Sequence, residues 1–136
     1  MKLIHGDAFA FLDELNPRFI VTDCNKEDFA RLLEWCESRY TILINAYSTR
    51  WLTAANPHPA QKRVDPYRSI IQAFPEEPVV CDPFMGTGTI GVAALSCGRD
   101  FIGIERYDDW FHVAKARIDG FQNAQAGENR AMGTVP

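Results

Sequence analysis

Strand-like and helix-like segments alternate along this chain of 136 residues, and the alternation predicts an α/β fold: a mostly parallel sheet of about five strands with helices on both faces. A second observation narrows the type. The apolar run Val79–Cys81 feeds a glycine-rich turn, Asp82-Pro83-Phe84-Met85-Gly86-Thr87-Gly88, which opens into a small-residue helix that stops at Gly98. A third is the next apolar run, Phe101–Ile104, which ends on Glu105, 23 positions after Asp82. Strand, glycine turn, helix, strand and acid make the layout of a nucleotide-cofactor site on a doubly wound sheet. The glycines let the backbone approach a ligand, and the acid accepts from ribose hydroxyls.

The elements follow in order. Lys2–His5 reads as a strand. Ala8, Phe11, Leu12 and Leu15 form a helical stripe after Asp7, which Pro17 ends. Phe19–Asp23 is the second strand. Phe29, Leu32, Leu33 and Cys36 then recur at helical spacing, with Asn25 as the N-cap and Asp28 at the third helical position, where an acid suits the positive helix end. Tyr40–Ala46 is the third strand, and Tyr47–Pro57 reads as a connecting loop. Asp65-Pro66 starts a helix whose stripe is Tyr67, Ile70, Ile71 and Phe74. Val79–Cys81 and Phe101–Glu105 are the last two strands, and a final helix runs from Asp108 to about Ile118 with Trp110, Val113 and Ala114 facing in. A single domain therefore covers residues 1–121. The segment from Gln122 to Pro136, rich in Ala, Gly, Asn and Gln, is expected to be a disordered tail.

Composition agrees with one globular domain: 46% of residues are hydrophobic and 24% charged, enough to bury a core. Neither a signal peptide nor a long apolar run is visible, which reads as a cytoplasmic protein with no membrane partner. The net charge is −4 and the pI about 5.3, whereas an autonomous DNA-binding domain usually shows a basic face. Arg39, Arg50, Lys62, Arg63 and Arg68 are the candidates for a local basic patch; scattered solvated side chains are the alternative. Cys24, Cys36, Cys81 and Cys97 lack metal-ligand spacing and read as buried reduced thiols, with Cys24 set apart by its place before a helix N-terminus, which lowers thiol pKa. His5 and His112 read as structural. No metal site is expected.

Spacing alone does not choose the cofactor. A phosphate loop would need Gly-Lys-Ser/Thr, and Gly88-Thr89-Ile90 has no lysine, while Gly86, Gly88 and Gly91 satisfy the dinucleotide pattern and leave it open. The flanks decide. Asp82-Pro83-Phe84 before the turn and Phe101-Ile102-Gly103-Ile104-Glu105 after it closely resemble the cofactor motif of DNA amino-methyltransferases, which move a methyl group from S-adenosylmethionine to adenine N6 or cytosine N4. His58-Pro59-Ala60-Gln61-Lys62 resembles a further motif of that family, and the resemblance covers roughly residues 2–118. It implies a Rossmann-like methyltransferase fold and S-adenosylmethionine as cofactor. By the same resemblance Asp82, Phe84, Gly86 and Gly88 line the methionine part, with Pro83 in the same motif, and Thr87 and Thr89 offer hydroxyls and backbone amides. Glu105 takes both ribose hydroxyls, Asp7 sits near the adenine, and His58, Gln61 and Lys62 close over the amino-acid end.

The order of the pieces resembles the family's permuted arrangement, in which the catalytic half precedes the cofactor half. Leu3-Ile4-His5-Gly6-Asp7 is similar to a strand ending in Gly-Asp, and Phe19-Ile20-Val21-Thr22-Asp23 to the strand that carries the catalytic motif. That motif is normally Asp-Pro-Pro-Tyr; here it reads Asp23-Cys24-Asn25-Lys26. An exocyclic amine conjugated to a base is a poor nucleophile. The motif's acid and a backbone carbonyl accept its hydrogens, and the aromatic stacks on the flipped base, a contact worth roughly 1–3 kcal/mol. Asp23 keeps one acceptor. Lys26 has no aromatic face, Cys24-Asn25 lacks the stiffness of two prolines, and Asn25 and Lys26 suit helix initiation instead.

Length is the second departure. Only 11 residues separate Ala46 from His58, where the family normally holds further strands and the region that reads DNA. The resemblance thus implies a sheet reduced at one edge, with Tyr40–Ala46 and its Ile42, Leu43 and Ile44 left open, and hence a homodimer or a recognition partner there. Trp51-Leu52 reads as a loop anchor rather than a base platform. Two functions compete: a minimal S-adenosylmethionine-dependent amino-methyltransferase with Asp23 as its surviving catalytic group, binding DNA only weakly alone, and a non-catalytic S-adenosylmethionine-binding subunit, decoy or regulatory module.

Overall fold

Short apolar strands and amphipathic helices alternate as the sequence predicts in the computed structural model, which describes residues 1–46 and 64–133. In chain order these are β1 (Lys2–His5), α1 (Ala8–Leu15), β2 (Phe19–Thr22), α2 (Lys26–Cys36), β3 (Ile42–Asn45), α3 (Val64–Gln72), β4 (Val79–Asp82), α4 (Thr89–Ser96), β5 (Asp100–Glu105) and α5 (Asp108–Ala131). The five strands form one sheet in the order β1-β5-β4-β2-β3, and every pairing is parallel. Residues 47–57, read as a loop with Trp51 and Leu52 in it, lie outside the described residues.

Side chains alternate across the strands, so each face packs its own helices. Phe19, Val21, Val80 and Phe101 point to one side, where Tyr67 and Ile71 of α3, Ile90, Ala93 and Ala94 of α4, and Ala114 and Ile118 of α5 cover them. Ile20 and Cys81 point to the other, against Leu12 of α1 and Leu32 of α2. The chain leaves β4 for one face through α4 and leaves β2 for the other through α2. The neighbouring strands β4 and β2, paired at Ile20 and Cys81, therefore form the topological switch point, where doubly wound sheets open a crevice.

Local signals end the elements where expected. Asn16 takes a left-handed conformation (φ 41°) and closes α1 just before Pro17. The Asn25 side chain accepts from the Asp28 amide and caps α2. The third strand begins at Ile42 rather than Tyr40, which is 99% exposed, and it ends the sheet among the described residues.

The last helix corrects two expectations. It continues through Ala131, so residues 122–131 are helical rather than a disordered tail. Ala, Gln, Glu and Arg are good helix formers, and no proline interrupts them once the packed part has nucleated the turns. The inward stripe is also rotated: Ala114 and Ile118 are buried with Phe111 and Phe121 packed beside them, whereas Trp110 and Val113 are 51% and 47% exposed. Among the described residues no helix is long and apolar enough to cross a membrane.

Candidate functional site

The C-terminal ends of β1, β5, β4 and β2 meet around a crevice of about 490 Å³, within the range of small-molecule sites. Gly6, Asp7 and Phe9 line it from the β1 side, Glu105, Arg106, Tyr107 and Trp110 from β5, Pro83 and Phe84 from β4, and Asp23, Cys24, Asn25, Asp28 and Arg31 from β2 and α2. Four carboxylates face two guanidinium groups, so the lining carries an acid surplus.

The β4–β5 wall is organised by buried carboxylates. Asp82 ends β4 fully buried; its Oδ1 accepts from Thr22 Oγ1 at 2.8 Å and from the Phe84 amide at 3.0 Å. The first bond ties the switch-point strands together. Burial pushes the Asp82 carboxyl up to about 7 against the pull of those two donors. The turn that follows has Gly86 at φ +55° and Gly88 at φ +82°, conformations that L side chains rarely adopt, and a Cβ on Gly88 would press Ala114 and Ile118 at 3.1–3.3 Å. The Met85 amide donates to the Ile104 carbonyl at 2.9 Å. Glu105 completes the wall: its Oε2 accepts from the Gly86 amide at 2.8 Å and its Oε1 from the Tyr107 amide at 2.9 Å. This leaves a nearly buried carboxylate aimed by two backbone donors, with lone pairs to spare.

The β2 wall is organised by a helix start. Asp23 follows β2 and its Oδ2 accepts from the Tyr67 phenol at 3.2 Å. The Asn45 side chain embraces the next residue, accepting from the Cys24 amide and donating to the Cys24 carbonyl, both at 3.3 Å. Asn25 serves the Asp28 amide at 2.8 Å. The expected low-pKa thiol is corrected: burial first, and then the carboxylates of Asp28 and Asp82, push Cys24 up to about 12, so it is no nucleophile at neutral pH.

Of the predicted site residues, Asp7, Asp23, Pro83, Phe84 and Glu105 come together in the crevice. Asp7 also caps α1 through the Phe9 amide at 2.9 Å. Asp82 lies buried behind the wall. Gly86, Thr87, Gly88 and Thr89 are not among the lining residues, and the threonine hydroxyls turn away: Arg117 of α5 donates to Thr89 Oγ1 at 2.8 Å and reaches the Thr87 carbonyl at 3.4 Å. His58, Gln61 and Lys62 lie outside the described residues, as do Arg50 and Arg63. The basic patch does not form from the remaining two, since Arg39 pairs with Asp13 on the α1–α2 face and Arg68 sits on α3 of the opposite face near Asp65. Sequence reasoning missed Phe9, Arg31, Tyr107 and Trp110. Arg31 lies over the Phe9 ring at 3.8 Å and Phe9 packs on Phe84 at 6.0 Å, contacts between elements that no local spacing encodes.

Against known proteins, residues 14–116 match the N6/N4 family model described as DNA methylase. The Type II methyltransferase M2.LlaDCHI of Lactococcus lactis subsp. cremoris is 38% identical over 81 residues, 59% of this chain and 29% of that protein. The Type II methyltransferase M.HinfI of Haemophilus influenzae is 44% identical over 52 residues, 38% of this chain and 14% of that protein. The chain thus spans less than a third of either relative. Among solved structures, M1.HpyAVI superimposes with a TM-score of 0.58 at 22% identity, over 86% of this chain and 98% of that one. The DNA modification methylase TTHA0409 of Thermus thermophilus, itself assigned by inference, gives 0.60 at 15%, over 88% and 94%. At these identities the structures speak for a shared fold.

Proposed function

The chain belongs to the DNA methylase family, and on that premise we propose that its crevice binds S-adenosylmethionine, in a protein built on the plan of an adenine-N6 or cytosine-N4 amino-methyltransferase. The observation that carries the reading is Glu105, a nearly buried carboxylate fixed by the Gly86 and Tyr107 amides at the end of β5. Its remaining lone pairs suit the two hydroxyls of a ribose. The acid surplus of the lining suits a cationic ligand, and Phe84, Tyr107 and Trp110 offer apolar surface beside it. The cofactor supplies an electrophilic methyl group on a sulfonium. Asp23, at the neighbouring strand end, supplies an acceptor for the hydrogens of an incoming amine.

Calorimetric titration with S-adenosylmethionine tests this. Micromolar binding is expected, with a large loss in Glu105→Ala and a smaller one in Glu105→Gln, which keeps one carbonyl acceptor. No binding by the wild-type chain sinks the reading.

DNA as methyl acceptor is part of the same proposal, with sequence recognition supplied by a partner, because a net charge of −4 gives the chain no general attraction to phosphates. A second copy or a recognition subunit at β3 answers that need, and light scattering at micromolar concentration reads it: a monomer argues against the homodimer. A cytoplasmic location goes with a DNA acceptor.

A second reading, cofactor binding without methyl transfer, is favoured by two observations. The Cys24 carbonyl beside Asp23 is already engaged by Asn45, and Lys26 stands where the family motif has its aromatic. Loss of methyl transfer in Asp23→Ala would support the enzyme. Activity gained only when Cys24, Asn25 and Lys26 become Pro-Pro-Tyr would support the binding module.

A further inference from the structure

We propose that Tyr67 of α3 is a positioning residue for Asp23: its phenol grips the acid from the α3 face of the sheet and aims it at the point of methyl transfer. The inference rests on the cofactor reading above, and it gives a task to a tyrosine so far placed only in the apolar stripe of its helix.

Asp23 stands just past the end of β2, and no proline follows to stiffen the turn, since Cys24 and Asn25 come next. Its direction has to be held by contacts instead, and two are built in. Asn45 fixes the main chain through the Cys24 amide and carbonyl. Tyr67 fixes the side chain, donating to Asp23 Oδ2 at 3.2 Å.

The phenol suits that task. Tyr67 is buried in the core cluster that holds Phe19, Val21 and Ile71, so its ring cannot follow a moving carboxylate. It reaches Asp23 from the face opposite to α2, while the chain beyond Asp23 runs into α2 through Cys24, which packs on the other face. The acid is therefore held across the sheet rather than within its own turn. With one oxygen tied to a fixed ring, rotation about the Cβ–Cγ bond is restrained and the direction of the other oxygen is set. A neutral donor does this without cancelling the carboxylate charge, as a cation would. A buried tyrosine needs some acceptor for its hydroxyl. This one takes a residue that lines the crevice, so core and site share one hydrogen bond.

The test compares two cofactor analogues by calorimetry. Sinefungin carries a protonated amino group in place of the transferred methyl group, and S-adenosylhomocysteine lacks both, so the ratio of their affinities reads whether an acceptor is aimed at that point. Wild type is expected to prefer sinefungin roughly ten-fold, the gain of one charged hydrogen bond. Asp23→Ala should abolish the preference. Tyr67→Phe, which keeps the ring in the core, should cut it by roughly three-fold or more while S-adenosylhomocysteine affinity stays at the wild-type value, and should change nothing further when added to Asp23→Ala. A preference that survives Tyr67→Phe overturns the assignment and leaves Tyr67 a core residue with a convenient acceptor. So does an equal loss for the two ligands, which would mean a damaged crevice. Equal affinity of wild type for both analogues also overturns it, because Asp23 would then not face the transfer point. If wild type binds neither, the cofactor reading itself has failed and this inference falls with it.

Discussion

On the β4–β5 side of the crevice, buried carboxylates are aimed by backbone amides: Asp82 by Phe84, and Glu105 by Gly86 and Tyr107. On the β2 side, backbone groups are held by side chains: Asn45 at the end of β3 pairs with the Cys24 amide and carbonyl, and Asn25, which also caps α2, accepts from the Asp28 amide. The first wall turns the Glu105 side chain into the crevice, with Asp82 buried behind it; the second uses its polar groups on itself. The two walls can be organised so differently because they sit on different strands, tied across the switch point by the Thr22–Asp82 bond.

Breaking the first wall carries the largest effects. Burial raises Asp82, so the folded protein holds a proton that the unfolded chain releases near pH 4. Its stabilising contribution is complete below that pH and is lost as pH rises through about 7. Urea melts from pH 4 to 8 are expected to show stability falling by up to roughly 4 kcal/mol from this group, and Asp82→Asn, which still accepts from Thr22 and Phe84, flattens that slope. Next comes Gly103→Ala, whose Cβ would collide with Met85 Sδ and lie 2.7 Å from Phe101 Cε1. A loss of about 1–3 kcal/mol by thermal or urea melt is expected.

On the second wall the effects shrink and separate from ligand binding. Asn25→Ala removes the α2 cap and is expected to cost about 1 kcal/mol in a melt. If it left stability unchanged, the case that this wall has been given over to helix initiation would weaken. Smallest, and back on the β5 side, is Trp110→Ala: a side chain 51% exposed in the crevice lining should change stability by less than about 0.5 kcal/mol, so any larger change in S-adenosylmethionine affinity belongs to the ligand.

Local patterns were legible before the fold. Glu105 and the glycine turn follow from a strand–turn–helix–strand spacing, and Asn25 and Asp28 from capping preference. Contacts between distant positions were not. Thr22 meets Asp82 across 60 positions, Tyr67 meets Asp23 across 44, and Arg117 meets Thr89 across 28, and nothing in the sequence around either partner marks it. Cys24 shows the same gap in electrostatics. Its place before a helix argued for a low thiol pKa, but burial and two carboxylates, one of them distant in sequence, outweigh the helix end. Trp110 and Val113 fit a helical period nearly as well as Phe111 and Ala114, and only the sheet beneath α5 chooses between the two phases.

The length of α5 has a mechanical consequence. At 24 residues the rod runs about 36 Å, while its buried anchors, Ala114 and Ile118, lie in its first half. At those anchors Gly88 comes so close that even a methyl group would crowd them, and Arg117, between them in sequence, donates to Thr89 Oγ1. The glycine loop and the near half of the rod are clamped together like an axle and its bearing, and the outer residues to Ala131 form a lever arm. A tilt too small to see at Gly88 is magnified at the far tip, so a spin label near Glu128 would report motion of the loop from a position remote from any ligand.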